Sequence, residues 1–149
     1  MYRTAGLGIA LISCTLVGCA GPVSVPEPSP SGSAVASACS QLIDGLPSSV
    51  LNAVRRKIEP PSDATAAWGD PPITLRCGVA KPDSLTPTST LVTVNGVDWL
   101  PEQRSAGYVF TTTGRVAYVE VAVPNEYAPE TEVLTELAKS ISEFVPTVQ

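Results

Sequence analysis

Apolar and polar residues alternate along several short stretches between residues 73 and 123, a pattern typical of strands with one buried face. In ITLRCGV, residues 73–79, this alternation places Ile73, Leu75, Cys77 and Val79 on one side of the chain. The pattern therefore predicts a strand whose apolar side is covered by other elements.

The turn Asn95-Gly96 predicts a tight hairpin, because this dipeptide favours the two-residue turns that join antiparallel strands. Such a turn pairs Val94 with Val97 and Val92 with Trp99. All four side chains then lie on one face of the sheet.

The turn Thr113-Gly114 in GYVFTTTGRVAYVEVAV predicts a second hairpin. It pairs Phe110 with Ala117 and Tyr108 with Val119, and again gathers the apolar side chains on one face. Val121 and Val123 extend the same face. We interpret Trp68 and Trp99 as core or groove-edge residues.

Helical spacing flanks these strands on both sides. Apolar residues recur every four positions from Leu42 to Ile58, interrupted by Gly45 and Pro47, which predicts a short helix near 39–45 and a second one over about 48–57. The basic run 55–57 then lies at the end of the second helix, where cations complement the helix dipole. Near the C-terminus, an apolar stripe begins after Pro129 and Pro146 ends it, so residues between them are predicted to be helical.

These elements predict an α+β fold, with an antiparallel sheet of about five strands and the N- and C-terminal helices packed on one face. The other face then carries polar side chains, as an ordinary solvated sheet face does, and the functional hypothesis is a shallow ligand or partner surface centred on Arg76 and Asp98. The other candidate residues of this surface are Thr93, Thr111, Tyr118 and Glu120.

The N-terminus has the organisation of a secretory signal. Arg3 precedes an apolar run over residues 5–17, which is shorter than the roughly 20 residues that span a membrane. The sequence Leu-Val-Gly-Cys at 16–19 resembles a bacterial lipobox, so we expect residues 1–18 to be removed and Cys19 to be acylated. Cys14 ends a second, weaker match. A cleaved secreted product and an uncleaved N-terminal anchor are the alternatives.

Residues 19–38 are rich in proline, serine, glycine and alanine, and no apolar periodicity is evident in them. We therefore predict a lipid-anchored tether over 19–38, followed by a single domain over 39–149. The chain would sit on the outer face of the cytoplasmic membrane.

Two of the four cysteines belong to the N-terminal signal region and two to the predicted domain. Cys14 leaves with the signal peptide and Cys19 takes lipid, which leaves Cys39 and Cys77 in an oxidising compartment. We predict a disulfide between them that joins the first helix to the sheet. A pair of metal thiolates is the alternative, but it lacks two further ligands.

The composition of the chain argues against several kinds of ligand, catalytic group and metal site. The chain has a net charge of −5, which does not favour nucleic acid, and its lack of histidine removes histidine bases, Ser-His and Cys-His pairs and most zinc sites. No phosphate loop or cofactor motif occurs in the sequence, so we expect no metal and no cofactor.

Four segments together resemble a known family: CSQLIDGLPSSV, the Arg55-Arg56 pair, TAAWGDPPITLRCGV and VNGVDWL. The chain is similar to the actinobacterial domain of unknown function 3515 family over most of 39–149. The resemblance implies a small secreted or lipid-anchored domain of the cell envelope, and it supplies no catalytic residues.

Our main hypothesis is a lipid-anchored binding or accessory module that contacts the membrane through its lipid and recognises an envelope protein or a cell-wall component. A structural spacer without ligand is one alternative. The other is a carboxylate-based wall hydrolase that uses two of Asp70, Asp98, Glu102 and Glu120.

Overall fold

Two helices pack on one face of a six-stranded antiparallel sheet in the computed structural model of the protein, which describes residues 21–148. The helices are α1 (Ser33–Gly45) and α2 (Thr131–Phe144), and a 3-10 turn covers Asn125–Tyr127. A two-stranded sheet consists of β1 (Ser49–Val50) and β2 (Ala53–Val54). The main sheet consists of β3 (Thr65–Trp68), β4 (Ile73–Val79), β5 (Val92–Val94), β6 (Val97–Arg104), β7 (Gly107–Thr112) and β8 (Tyr118–Pro124). The predicted α+β class is confirmed, with six strands in the main sheet instead of about five.

The strands of the main sheet lie in the order β3-β4-β8-β7-β6-β5. The side chains that face the helices form one continuous core, to which β4 contributes Ile73, Leu75 and Cys77. Trp68 and Trp99 are fully buried in this core, and the Trp68 indole donates to the carbonyl of Pro47 at 3.0 Å. Both tryptophans are therefore core residues.

The first predicted hairpin is confirmed. Val94 pairs with Val97 and Val92 pairs with Trp99. Asn95 and Gly96 have φ angles of 48° and 77°, the left-handed conformation that this two-residue turn requires.

The second hairpin has a different register from the predicted one. Phe110 pairs with Val121, and Tyr108 pairs with Val123, four positions further along β8 than the sequence predicted. The connection is longer because residues 114–116 pair with the C-terminal segment: the amide of Val116 donates to Pro146, and that of Val148 donates to Gly114. Since the difference is an even number of residues, the apolar side chains keep their predicted face.

Strand β4 also departs from its predicted pattern at its end. Gly78 has a φ of +86°, and the pairing with β8 shifts between Cys77 and Val79. Val79 pairs with Tyr118 and leaves the apolar face on which alternation placed it.

The predicted helix over 48–57 is wrong, because this segment forms the β1–β2 hairpin. Leu51 and Asn52 make its turn with φ angles of 48° and 65°. The apolar residues at four-residue spacing do not share one buried face, since Val50 is fully buried and Val54 is 68% exposed. Pro47 follows the end of α1 and is compatible with an extended chain.

The basic run does not end a helix of its own but lies along the edge of β3. The amide of Arg56 donates to the carbonyl of Ala67. The Arg55 guanidinium donates to Ile43 near the C-terminus of α1 and lies 5.6 Å from the centre of the Trp68 ring. Burial lowers the pKa of Arg55, and the charge of Asp44 opposes this effect. Arg55 therefore complements the dipole of α1.

Folded structure extends back to residue 21, so the predicted tether and the domain boundary at Cys39 are corrected for residues 21–38. Val23 pairs with Ile58 and exchanges backbone hydrogen bonds with Lys57 and Glu59, of 2.8 and 3.0 Å. Val25 is only 6% exposed, and α1 already begins at Ser33. Val23 and Val25 point inward on either side of the exposed Ser24, an alternation typical of a short strand that the high proline content hid.

The predicted signal peptide, Cys14 and Cys19 lie outside the described residues. Within residues 21–148, none of the helices has the length and apolar character needed to cross a membrane.

Candidate functional site

The second face of the main sheet, opposite the helices, carries the six residues predicted to form a binding surface. Arg76, Glu120 and Thr111 are cross-strand neighbours on β4, β8 and β7. The Arg76 guanidinium contacts the Glu120 carboxylate at 3.0 Å, and both side chains are about one quarter exposed. Glu120 is therefore the partner of Arg76.

Asp98 does not pair with Arg76. Two strands separate β4 from β6, so the backbones of these residues are about 14 Å or more apart. Asp98 instead accepts a hydrogen bond of 2.6 Å from the Thr93 hydroxyl on the neighbouring strand β5. Arg76 and Asp98 therefore do not form an ion pair with each other.

The connection between β4 and β5, residues 80–91, crosses part of the second face. It has to pass β8, β7 and β6, and the Ser84 hydroxyl donates to Glu102 of β6 at 2.9 Å. Leu100 and Thr111 are buried in this region although both belong to the second face, and Thr111 is only 1% exposed. The Thr111 hydroxyl is thus inaccessible to a ligand. Tyr118 is half-buried opposite Val79.

The N-terminal segment covers another part of the same face. The Arg76 Nε donates to the carbonyl of Pro26 at 2.9 Å. Pro30 packs against Gly78, where a side chain would meet the proline ring at about 3.0 Å. The six predicted residues are therefore divided between covered regions and an exposed edge, and they do not form one open surface.

An apolar pocket of about 320 Å³ lies at the end of the second face that these segments leave open. The register places Val109, Ala122 and Pro124 on this face, and Pro72, in the turn before β4, lines the pocket beside them. The remaining lining residues are Pro71, Arg104, Ala106, Gly107, Tyr108, Val123, Asn125 and Glu126. Its size and apolar lining are those of a small-molecule or side-chain binding site.

The pocket residues were missed by the sequence interpretation, which considered only polar side chains on the second face. A signal was available in the alternation itself. Val109 lies between the inward-facing Tyr108 and Phe110, and Ala122 lies between Val121 and Val123. Both therefore had to point to the second face.

Tyr127 holds one wall of the pocket in place. Its hydroxyl donates to the carbonyl of Pro71 at 2.9 Å. Burial raises the pKa of Tyr127, so the phenol stays protonated and remains a donor at neutral pH. Gly69, with a φ of +74°, lies so close to the phenol oxygen that a Cβ at this position would collide with it.

The polar groups of the pocket lie at its rim. The Arg104 side chain is 55% exposed and contacts the Glu102 carboxylate at 3.2 Å. The backbone N–H of Asn125 donates to the carbonyl of Ala106 at 3.0 Å. The arrangement suits a ligand with an apolar part in the pocket and a polar part at the mouth.

Two of the carboxylates considered for a hydrolase, Glu102 and Glu120, lie on the second face. Glu102 and Glu120 lie two strands and two residues apart, which separates their Cα atoms by about 12 Å. Each of these side chains also contacts an arginine. Among residues 21–148, no group of three or more acidic or cysteine side chains is placed to hold a metal ion.

A family model described as "Protein of unknown function (DUF3515)" matches residues 8–149. The chain belongs to this family. The match covers nearly the whole sequence and includes the AWGDPPI and VNGVDW segments. No curated protein and no solved structure matches the chain.

The predicted disulfide of this DUF3515 domain is confirmed. Cys39 of α1 is bonded to Cys77 of β4, with their Cα atoms 5.4 Å apart. Both residues are buried in the core. The bond joins the first helix to the same strand that carries Arg76 on its other face.

A buried arginine supports the opposite side of the DUF3515 fold, and the sequence interpretation missed it. Arg115 is 9% exposed and donates to the carbonyls of Val145 at 2.7 Å and Gly96 at 3.1 Å. Burial lowers the pKa of Arg115, and the charge of Asp98 opposes this effect. Arg115 joins the end of α2 to the β5–β6 turn.

Proposed function

We propose that the protein is a lipid-anchored binding module on the outer face of the cytoplasmic membrane. Its pocket on the second face would receive part of an envelope component or partner. The observation that carries this proposal is an open, apolar pocket of about 320 Å³ on a face that is otherwise polar or covered. The match of residues 16–19 to a lipobox supports the anchor.

The geometry favours binding over catalysis. The lining of the pocket is mostly proline, valine and alanine, and its charged residues are at the rim. Such a lining provides apolar contact area but no nucleophile or paired acid and base. A structural spacer without ligand does not require such a pocket.

The anchor is tested by replacing Cys19. We expect Cys19→Ala to abolish acylation, so that the protein leaves the membrane fraction or its precursor remains uncut. The measurement is mass spectrometry of the N-terminus, together with membrane fractionation. Cys14→Ala is the matched control and should keep both acylation and fractionation. A mature N-terminus elsewhere, without acyl chains, would contradict the anchor.

The binding site is tested by photocrosslinking in living cells. A diazirine amino acid at Glu126, on the rim of the pocket, should give an adduct of defined mass because the ligand passes this position. The same amino acid at Glu132, exposed on α2 beyond the pocket, is the control and should not give that adduct. Filling the pocket with Ala122→Trp should remove the Glu126 adduct. If Glu126 and Glu132 give the same products, the pocket is not the binding site.

A further inference from the structure

We infer that the pocket binds the hydrocarbon chain of a membrane phospholipid. This inference rests on the proposed anchoring at Cys19 and assigns a ligand class to the same pocket. Two observations support it. The lining of the pocket is apolar, and the pocket lies at the same end of the molecule as Gly21, two residues after the proposed anchor Cys19.

The lining suits a hydrocarbon. Pro72, Val109, Ala122 and Pro124 present carbon atoms to the pocket and offer no side-chain hydrogen-bonding group. A sugar or a peptide backbone placed there would lose its hydrogen bonds to water without replacement. An acyl chain has no such groups to satisfy.

A chain of contacts connects the pocket to the N-terminal end of the described chain. The Arg56 guanidinium donates to the carbonyl of Gly21 through Nη2 and to that of Gly69 through Nη1, the latter at 2.6 Å. Gly69 packs beneath Tyr127, whose hydroxyl holds Pro71 of the pocket wall. Gly21 and the pocket therefore lie at the same end of the molecule.

Only one residue lies between Gly21 and Cys19, so their Cα atoms are at most about 7.6 Å apart. Because residues 21–30 pack on the domain, they do not act as a long spacer. An acylated Cys19 would hold this end of the domain at the bilayer surface. The polar layer above the hydrocarbon is about 5–8 Å thick on each side, a short distance for a lipid chain to cross.

The rim of the pocket carries an arginine that can contact the polar headgroup of such a lipid. Arg104 is largely exposed at the mouth of the pocket, and its guanidinium suits a phosphate group. A phospholipid chain in the pocket would leave its headgroup near this side chain.

The test uses the full-length lipoprotein in nanodiscs of phosphatidylglycerol that carries a diazirine in its acyl chain. After irradiation, peptide mass spectrometry should locate lipid adducts on the β7 and β8 residues that line the pocket. Ala122→Trp, which fills the pocket, should lose these adducts. Ala34→Trp is the matched control, since Ala34 lines a separate concavity beside α2, and it should keep them. Val109→Glu gives a second, independent loss by placing a charge in the apolar lining.

Other outcomes would overturn the inference. Adducts confined to exposed residues such as Val54 would show membrane contact without binding in the pocket. Pocket adducts that persist in both Ala122→Trp and Val109→Glu would place the lipid elsewhere. A crosslink to a second copy of the chain in place of lipid would identify a protein interface.

The Cys19→Ala variant distinguishes an error in the proposed ligand from an error in the proposed anchor. If anchoring is wrong but the pocket binds lipid, Cys19→Ala mixed with vesicles of the same lipid keeps the pocket adducts. If Cys19 is acylated and the pocket gives no adducts, the ligand class is wrong and the anchor stands. A marked rise of pocket adducts in Cys19→Ala would show that the chain's own acyl group normally occupies the pocket, which would overturn the assignment to a membrane lipid.

Discussion

Replacing Cys39 and Cys77 together by alanine should lower the free energy of unfolding by about 4 kcal/mol, because the disulfide closes a long loop in the unfolded chain. The two residues are 38 positions apart, and the bond joins α1 to the sheet. Alanine avoids burying an unpaired hydroxyl, which serine would introduce at these buried positions. Urea unfolding of the oxidised protein and the variant measures the difference.

Reduction provides the control for this prediction. A reductant should lower the urea midpoint of the wild-type protein and leave that of the Cys39→Ala/Cys77→Ala variant unchanged. If reduction leaves the wild-type midpoint in place, the cross-link contributes nothing to stability and the prediction fails.

Arg115→Met should have the second large effect, a loss of about 2–4 kcal/mol in the free energy of unfolding. Methionine retains much of the apolar stem but removes the guanidinium, which leaves the carbonyls of Val145 and Gly96 without this donor. The substitution also removes a positive charge from the C-terminal end of α2, where it complements the helix dipole. Urea unfolding measures the loss, and hydrogen exchange of the residues that pair with 114–116 reports where it acts.

Arg104→Met is the matched control for Arg115→Met. Arg104 is exposed and makes one ion pair at the surface, so its removal should change stability by no more than about 1 kcal/mol. Equal losses for the two variants would show that the burial of Arg115 does not matter, in contradiction of its assigned role.

Alternation and turn chemistry were sufficient to predict the central features of the fold. The side chains of Ile73, Leu75 and Cys77 had to share a face, and the Asn95-Gly96 turn admits few registers. Alternation also placed Cys77 on the face toward the helices, where the disulfide with Cys39 forms. These are local rules, and each depends on neighbours within a few residues.

The errors arose where contacts distant in sequence decide the local structure. The segment 48–57 has apolar residues at helical spacing, but its extended backbone is held by Ala67 and Gly69 of another part of the chain. Val23 is likewise held in an extended conformation by its pairing with the distant residue Ile58. The pocket depends on where residues 80–91 cross the second face, and spacing alone does not predict that path.

The late position of β8 in the sequence has a consequence for how the chain folds. β8 lies between β4 and β7, so the β3–β4 hairpin and the β5–β6–β7 meander share no strand pairing until residues 118–124 arrive. Chains with many such distant pairings fold more slowly than chains with mostly local contacts. A nascent chain that lacks β8 would have two separate halves and no complete core, and would therefore stay open while it is being made.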